Sequence, residues 1–374
     1  MARPLTIGVD IRDLRVAKTG TRTYLEEVCK EFKQLQSPEI KFKFLDTNIP
    51  VYTGHNRILK LIEHARYQLW KQLALPLQAF FNSCDIVFCT DNFVPIVHLG
   101  YKTIPVFHDA FFFEMPENYG KLWLWLYHKT AIPAARRSPL VVTPTQYAKK
   151  QIGHYMQIPE SKLAVVYEGP KTLPDITTGA DELLKSLSIS KGEYLLHVGS
   201  MFKRKNIETL IQAFGKIKAD SGYEHLKLVL AGPIPNRQES HYNEILQAIE
   251  TANLRPYVVM TGYLSDNDLS LLYKNALMYV FPSINEGFGI PVLEAFANEL
   301  PVLVSNNTCL PEVGGDAVLQ FDPFNIDDLY QKIKAVADDE ELRSDLVKKG
   351  CARLQNFSWR NTALQLIEIF RKTV

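Results

Sequence analysis

The chain has 374 residues, 46% of them hydrophobic and 22% charged; these values exclude a disordered or fibrous chain and, at about 150 residues per domain, point to two or three globular domains. Its 42 basic and 41 acidic residues leave a formal charge of +1, so no global electrostatic pull toward nucleic acid or a membrane exists. Five cysteines with no CxxC pair suit reduced thiols in a cytoplasmic protein better than a disulfide framework or a zinc site.

The first residues, MARPLTIGVDIR, place Asp10 and Arg12 where a signal peptide needs an unbroken apolar segment, and nowhere do 18 apolar residues run together. A protein that is soluble, or that at most lies on a membrane, is expected. The runs LTIGVDI, KFKFL, DIVFC, KTIPVF, LVVTP and KLAVVY read as strands, with amphipathic helices over 20–34, 57–81 and 120–137 between them. Residues 169–192 are rich in Pro, Gly, Thr and Ser and read as a linker with one short helix. Alternation then resumes with YLLHVGS, LKLVLAG, YVVMTG, MYVFPS, PVLVSN and VLQFD, separated by helices near 206–219, 241–253, LSLLYKNA (269–276) and 291–299.

Buried β-branched runs alternating with helices argue for parallel sheets covered on both faces. The fold class is therefore α/β, with two doubly wound Rossmann-like domains, each carrying its crevice at the carboxyl ends of its strands. The expected limits are 1–170 and 191–356, joined by a linker over 171–190. A last helix over 357–374, with Ser358 as its N-cap, is expected to cross back to the first domain.

Several strand ends carry residues suited to chemistry. Gly20 lies between Thr19 and Thr21 before the first amphipathic helix, where a lone glycine is also the mark of a simple turn. His108 and Asp109 end a strand; a histidine there is either a hydrogen-bonded structural residue or a site residue. Lys203, Arg204 and Lys205 follow the strand ending at Gly199, with Asn206 as the expected cap of the next helix. Cations beside a helix N-terminus favour a diphosphate, although basic triplets are commonly just solvated. Gly262, Tyr263 and Leu264 form a further strand-end loop. Ser265-Asp266-Asn267-Asp268 contains an Asp-x-Asp of the kind that binds divalent metals, but Ser265 as N-cap and Asp268 in the first turn make a helix start the better reading.

The most informative stretch is 278–306. A strand ends at Phe281, a loop holds Glu286, Gly287, Phe288 and Gly289, Pro291 opens a helix, and Glu294 lies about one turn inside it. Helical side chains lean toward the N-terminus, so both carboxylates can face one crevice. Spacing alone is weak, since glutamates eight apart are common; the strand–loop–helix context gives the pair its meaning.

This Glu-(seven residues)-Glu element, with its flanking glycines, resembles the signature of the retaining nucleotide-sugar glycosyltransferases of family 4, the glycosyl transferases group 1, which have the GT-B fold of two Rossmann-like domains facing a central cleft. The resemblance implies that Glu286 contacts donor-sugar hydroxyls, Glu294 holds the ribose, Arg204 and Lys205 neutralise the diphosphate, His108 lies near the reacting sugar, and Gly20 approaches the donor phosphates. It places Gly262, Tyr263 and Leu264 near the base and the loop Gly287, Phe288 and Gly289 at the donor. One glycine stands at position 20 where the family commonly has two.

The implied activity is transfer of a hexose from a nucleoside diphosphate sugar, UDP-hexose such as UDP-glucose ahead of GDP-mannose, to a hydroxyl of a glycan or lipid-linked acceptor in polysaccharide biosynthesis. No metal and no cofactor are expected, the sugar nucleotide being a substrate. The alternatives are a nucleotide-sugar epimerase or hydrolase, and a noncatalytic sugar-nucleotide-binding protein.

No acidic residue occurs between Glu117 and Glu160, whereas Lys121, Lys129, Arg136, Arg137, Lys149 and Lys150 do; Lys60, Arg66 and Lys71 precede them, interleaved with Trp70, Trp123, Trp125 and Tyr127. This pattern predicts a basic, aromatic surface on the acceptor half, in peripheral contact with the cytoplasmic membrane face; the competing reading is that the tryptophans are core and the lysines merely solvated.

Overall fold

Each of the twelve apolar runs forms a strand in the computed structural model, which describes residues 3–17, 20–54, 56–233 and 240–374. Thr19 lies outside the described residues. The chain divides into two units, Met1–Glu168 with Ser358–Val374, and Gly169–Phe357.

In the first unit β1 (Leu5–Asp10), β2 (Ile40–Leu45), β3 (Ile86–Cys89) and β4 (Lys102–Pro105) make a parallel sheet in the order β2-β1-β3-β4. β5 (Val141–Thr143) and β6 (Leu163–Val165) pair with each other, and a parallel bridge from Val106 to Val142 continues the layer from β4. The helix Trp359–Thr373 belongs to this unit. Ser358 caps it by accepting from the Asn361 N–H at 3.1 Å. Phe370 packs 5.9 Å from Phe32 and 5.3 Å from Phe88, between ring centroids. Thr362 Oγ1 donates to the Tyr167 carbonyl at 2.6 Å.

Helix 57–81 is continuous but not regular. Asn56 caps Arg57–Leu69, a π turn covers Trp70–Ala74, and α geometry resumes over Leu75–Phe81. A wider turn shifts the register of the faces it joins, and here the consecutive Trp70 and Lys71 both point inward. The expected basic, aromatic surface is therefore corrected: Trp70, Lys71 and Tyr127 are core residues, Trp123 is half-buried against His64, Tyr67 and Phe93, and only Trp125 of the four aromatics is exposed.

In the second unit β7 (Tyr194–Val198), β8 (Lys227–Ala231), β9 (Val258–Gly262), β10 (Met278–Phe281), β11 (Val302–Ser305) and β12 (Leu319–Phe321) are parallel, in the order β12-β11-β10-β7-β8-β9. β10 and β11 are buried at every position, as covering helices on both faces require. The helix Ile207–Ala219 turns Leu210, Phe214 and Ile217 into the core beside β7, β8 and β10. Strand order reverses between β7 and β10, and in doubly wound sheets the crevice outside the carboxyl ends at such a switch point takes the ligand.

Candidate active site

Two loops meet at that switch point: Gly199–Asn206 after β7 and Pro282–Gly289 after β10. They are laced together by backbone and side chain. The Ile284 N–H donates to the Arg204 carbonyl at 2.8 Å, and Ser283 Oγ reaches the same carbonyl at 2.9 Å.

Glu286 is the centre of the knot. Its Oε1 accepts from Arg204 at 2.8 Å, Lys205 Nζ at 2.6 Å and Ser283 Oγ at 2.6 Å. Burial alone would raise this carboxyl, but the charges of Arg204 and Lys205 and the donated hydrogen bonds outweigh it and hold Glu286 below its ordinary value. Lys205 is pushed down to about 8, chiefly by burial and further by Arg204, with Glu286 opposing. Arg204 and Lys205 thus share the Glu286 carboxylate.

The same loop starts the next helix. Gly289 adopts φ +104 immediately before Ile290–Ala297, with Pro291 in its first turn, a backbone conformation that L side chains rarely take. Glu294, buried in that helix, accepts from the Tyr273 hydroxyl at 2.9 Å. Burial raises its carboxyl to about 7, against the Tyr273 hydrogen bond and Lys171. Cys309 ties the loop down from beneath, its Sγ donating to the Glu286 and Phe288 carbonyls, both at 3.2 Å.

Other expected residues fall differently. The Phe288 ring is buried and packs edge-on against Phe357, centroids 5.9 Å apart, so its backbone rather than its ring faces a ligand; Gly287 is buried beside it. Gly262, Tyr263 and Leu264 lie at the end of β9, the outer strand, two strands from β7. Tyr263 is 80% exposed, and the Gly262 carbonyl accepts from the Gly232 N–H at 3.0 Å. Asn206 does not cap the following helix. It takes a left-handed conformation at φ 54, and its side-chain amide donates to the Pro323 carbonyl at 2.8 Å. Ser265 does cap, accepting from the Asp268 N–H at 3.1 Å, while Asp266 pairs with Lys171 at 2.5 Å.

In the first unit, Gly20 is the exposed first residue of the helix Gly20–Gln34 rather than part of a preceding loop. His108 has both ring nitrogens engaged: Nε2 donates to the Thr90 carbonyl at 3.1 Å and Nδ1 faces Glu168 Oε1 at 3.2 Å. Burial opposes a charged ring, but the hydrogen bond and charge of Glu168, with help from Asp109 and the Thr90 carbonyl, prevail and raise its pKa. His108 is thus a hydrogen-bonded ring held between the Thr90 carbonyl and the buried Glu168 carboxylate.

Tyr273, Cys309 and Glu168 carry no sequence signal, because they act across 21, 23 and 60 residues, and Ser283, three residues from Glu286, ties it to the Arg204 carbonyl 79 residues away. Gly232 left a faint one: at the end of β8, a Cβ there would stand 1.9 Å from the Gly199 carbonyl oxygen, and glycine ends the matching run after β7. A cavity of about 430 Å³ beside the helix Ser240–Thr251, lined by Tyr242, Leu246 and Met260, contains none of these groups.

Solved structures of the same architecture fix the class. Alr3699/HepE from Anabaena, crystallised with UDP-glucose, superposes with a TM-score of 0.73 at 16% identity, covering 98% of this chain and 100% of that one. Sucrose-phosphate synthase from Thermosynechococcus elongatus gives 0.71 at 17% identity, covering 98% of each. The fold is GT-B. Residues 180–353, nearly all of the second unit, match the family model described as glycosyl transferases group 1. O-antigen chain mannosyltransferase B of Escherichia coli is 28% identical over 82% of this chain and 78% of its own length. The serotype-specific mannosyltransferase WbdA of the same organism is 29% identical over 75% of this chain, which spans only 34% of that longer protein.

Proposed function

We propose that the protein transfers a hexose, with retention and without a metal, from a nucleoside diphosphate sugar to a hydroxyl of a glycan or lipid-linked acceptor in polysaccharide assembly. One observation carries the reading: Arg204 and Lys205 converge on Glu286 at the carboxyl ends of β7 and β10. Cationic groups held at the strand ends suit a diphosphate, and in a buried site their charge is worth far more than in water.

The chemistry follows from the same three donors. A carboxylate oxygen that already accepts three hydrogen bonds is a poor nucleophile, which disfavours a covalent glycosyl-enzyme through Glu286. In the proposed step the bond from C1 to the diphosphate oxygen breaks, the acceptor oxygen bonds C1 from the same face, and its proton passes to the departing diphosphate. Glu286 orients sugar hydroxyls, Arg204 and Lys205 hold the charge that develops on the leaving group, and Glu294 accepts from the ribose. His108, held between Glu168 and the Thr90 carbonyl, is a fixed polar group in the first unit.

The donor has two readings. UDP-hexose is the one expected from the sequence; GDP-mannose is favoured by the names of the relatives that match three quarters or more of this chain. Thermal shifts with UDP-glucose, GDP-mannose and ADP-glucose separate them, since a ligand at about one hundred times its Kd adds roughly 2.7 kcal/mol of stability. A shift with none of the three overturns the proposal. Release of free sugar at full rate without acceptor would instead favour a hydrolase.

A further inference from the structure

On the helix Arg57–Phe81 the inner face is polar at its centre, where Lys71 reaches Asp10 and Asp91 at the carboxyl ends of β1 and β3. The outer face is apolar and open. Ile58, Ile62, Leu69, Leu73, Leu77 and Phe80 are 48–70% exposed, and their three-, four- and seven-residue steps put them on one side of the helix. The row is about 30 Å long at roughly 1.5 Å per residue. The helix Lys121–Leu126 lies beside it, the Trp123 ring centroid 5.3 Å from both His64 and Tyr67. That helix shows Leu122 and Trp125 to solvent.

An exposed apolar face of this size needs a partner, and charge selects which. The single acidic residue of the long helix, Glu63, is drawn inward by Arg12 at 2.5 Å and Arg66 at 3.1 Å. Lys60 is exposed on the same helix, and Lys121 and Lys129 are exposed in a stretch with no acidic residue between Glu117 and Glu160. A second copy would set these lysines against themselves, whereas an anionic bilayer complements both the apolar row and the cations.

We propose that the outer face of Arg57–Phe81, extended by Leu122 and Trp125, docks on an anionic lipid surface, with the apolar row at the boundary between headgroups and acyl chains. This rests on the function above only in that a lipid-linked acceptor gives the docking a use. The helix that meets the bilayer also covers the carboxyl edge of the first sheet with its inner face. Docking therefore holds that edge about one helix diameter, roughly 10 Å, from the headgroups.

The test is sedimentation of the full chain with phosphatidylglycerol–phosphatidylethanolamine vesicles and with phosphatidylcholine vesicles, at low and high salt. Binding to the anionic vesicles is expected, at least tenfold weaker for Leu73→Glu/Leu77→Glu and about threefold weaker for the milder Leu69→Gln. Lys60→Glu/Lys121→Glu is expected to remove the salt-sensitive part alone. The thermal midpoints of all variants, expected to match the wild type, show that they fold. Wild-type protein left in the supernatant at low salt overturns the proposal, as does undiminished binding by Leu73→Glu/Leu77→Glu. So does wild-type self-association, seen by sedimentation velocity, that this variant abolishes. No donor or acceptor enters the assay, so failure here and failure of the transferase reading are separate results.

Discussion

Each unit buries one lysine among carboxylates at the carboxyl edge of its sheet, and the two lysines are held in opposite ways. Lys71 faces two acids, Asp10 at 2.5 Å and Asp91 at 2.6 Å, and donates further to the Phe93 carbonyl at 3.2 Å. Burial pulls its pKa down, but the two carboxylates overcome burial and raise it well above the ordinary lysine value. Lys205 faces one acid, already shared with Arg204, and burial wins, leaving it at about 8. A saturated lysine is cement, whereas an undercompensated one has capacity left for an incoming anion.

The largest effect should come from breaking the saturated knot. Lys71→Met leaves Asp10 and Asp91 buried without their cation, at a cost of about 3–5 kcal/mol, read as a lower denaturation midpoint with donor affinity per folded molecule unchanged. A variant as stable as wild type would show that the acids are relieved by protonation or solvent and that the contrast with Lys205 is false. Lys205→Ala and Glu286→Ala should each cut transfer by about two orders of magnitude or more, the typical loss for one preorganised electrostatic contact. Near-normal turnover in either would remove the assignment of this site.

The pH dependence of donor binding sharpens the comparison. Lys205 must carry its proton to meet a diphosphate, so affinity is full below about 8 and falls as pH rises through that value. Glu294 accepts more strongly from a hydroxyl when ionised, so affinity is also expected to weaken as pH drops through about 7. Each limb should approach tenfold per pH unit for one linked proton. Isothermal titration across pH 6 to 10 checks both limbs, and a flat profile would mean that neither group titrates on binding. The effect on folding has the opposite sign for the lysine. Its pKa is lower folded than unfolded, so its contribution to stability grows as pH rises from about 8 toward the ordinary lysine value. The smallest effect is expected for Tyr273→Phe. Loss of one hydrogen bond to Glu294 costs about 1 kcal/mol, or roughly fivefold in donor affinity, and moves the acid limb to higher pH.

The sequence exposed the frame of the site because strand ends and loop residues are local facts: Arg204, Lys205, Glu286 and Glu294 sit where the apolar runs stop. It hid what holds them. Ser283 lies close in sequence to Glu286, but its other partner, the Arg204 carbonyl, is 79 residues away, and Tyr273 meets Glu294 across 21. The reversal at β7 and β10 is likewise a property of the sheet order and of no segment alone. The reading of residues 57–81 failed in an instructive way. Composition identified an amphipathic helix, but around the π turn at Trp70–Ala74 Trp70 and Lys71 lie inside while Leu69 and Leu73 stay out. His108 shows the same limit at one residue, since a ring between Glu168 and Thr90 takes its charge state from groups that the sequence places 60 and 18 positions away.

The closing helix has a consequence for the order in which the molecule assembles. Gly169–Phe357 is one uninterrupted stretch, whereas the first unit needs Trp359, Leu366 and Phe370 from the last residues of the chain. On a ribosome the second unit is complete in sequence before the first, which reverses the usual N-terminal-first order of domain folding. Until the final residues emerge, Phe32 and Phe88 lack the ring that covers them, and a nascent chain stalled before Trp359 would present that apolar surface to chaperones.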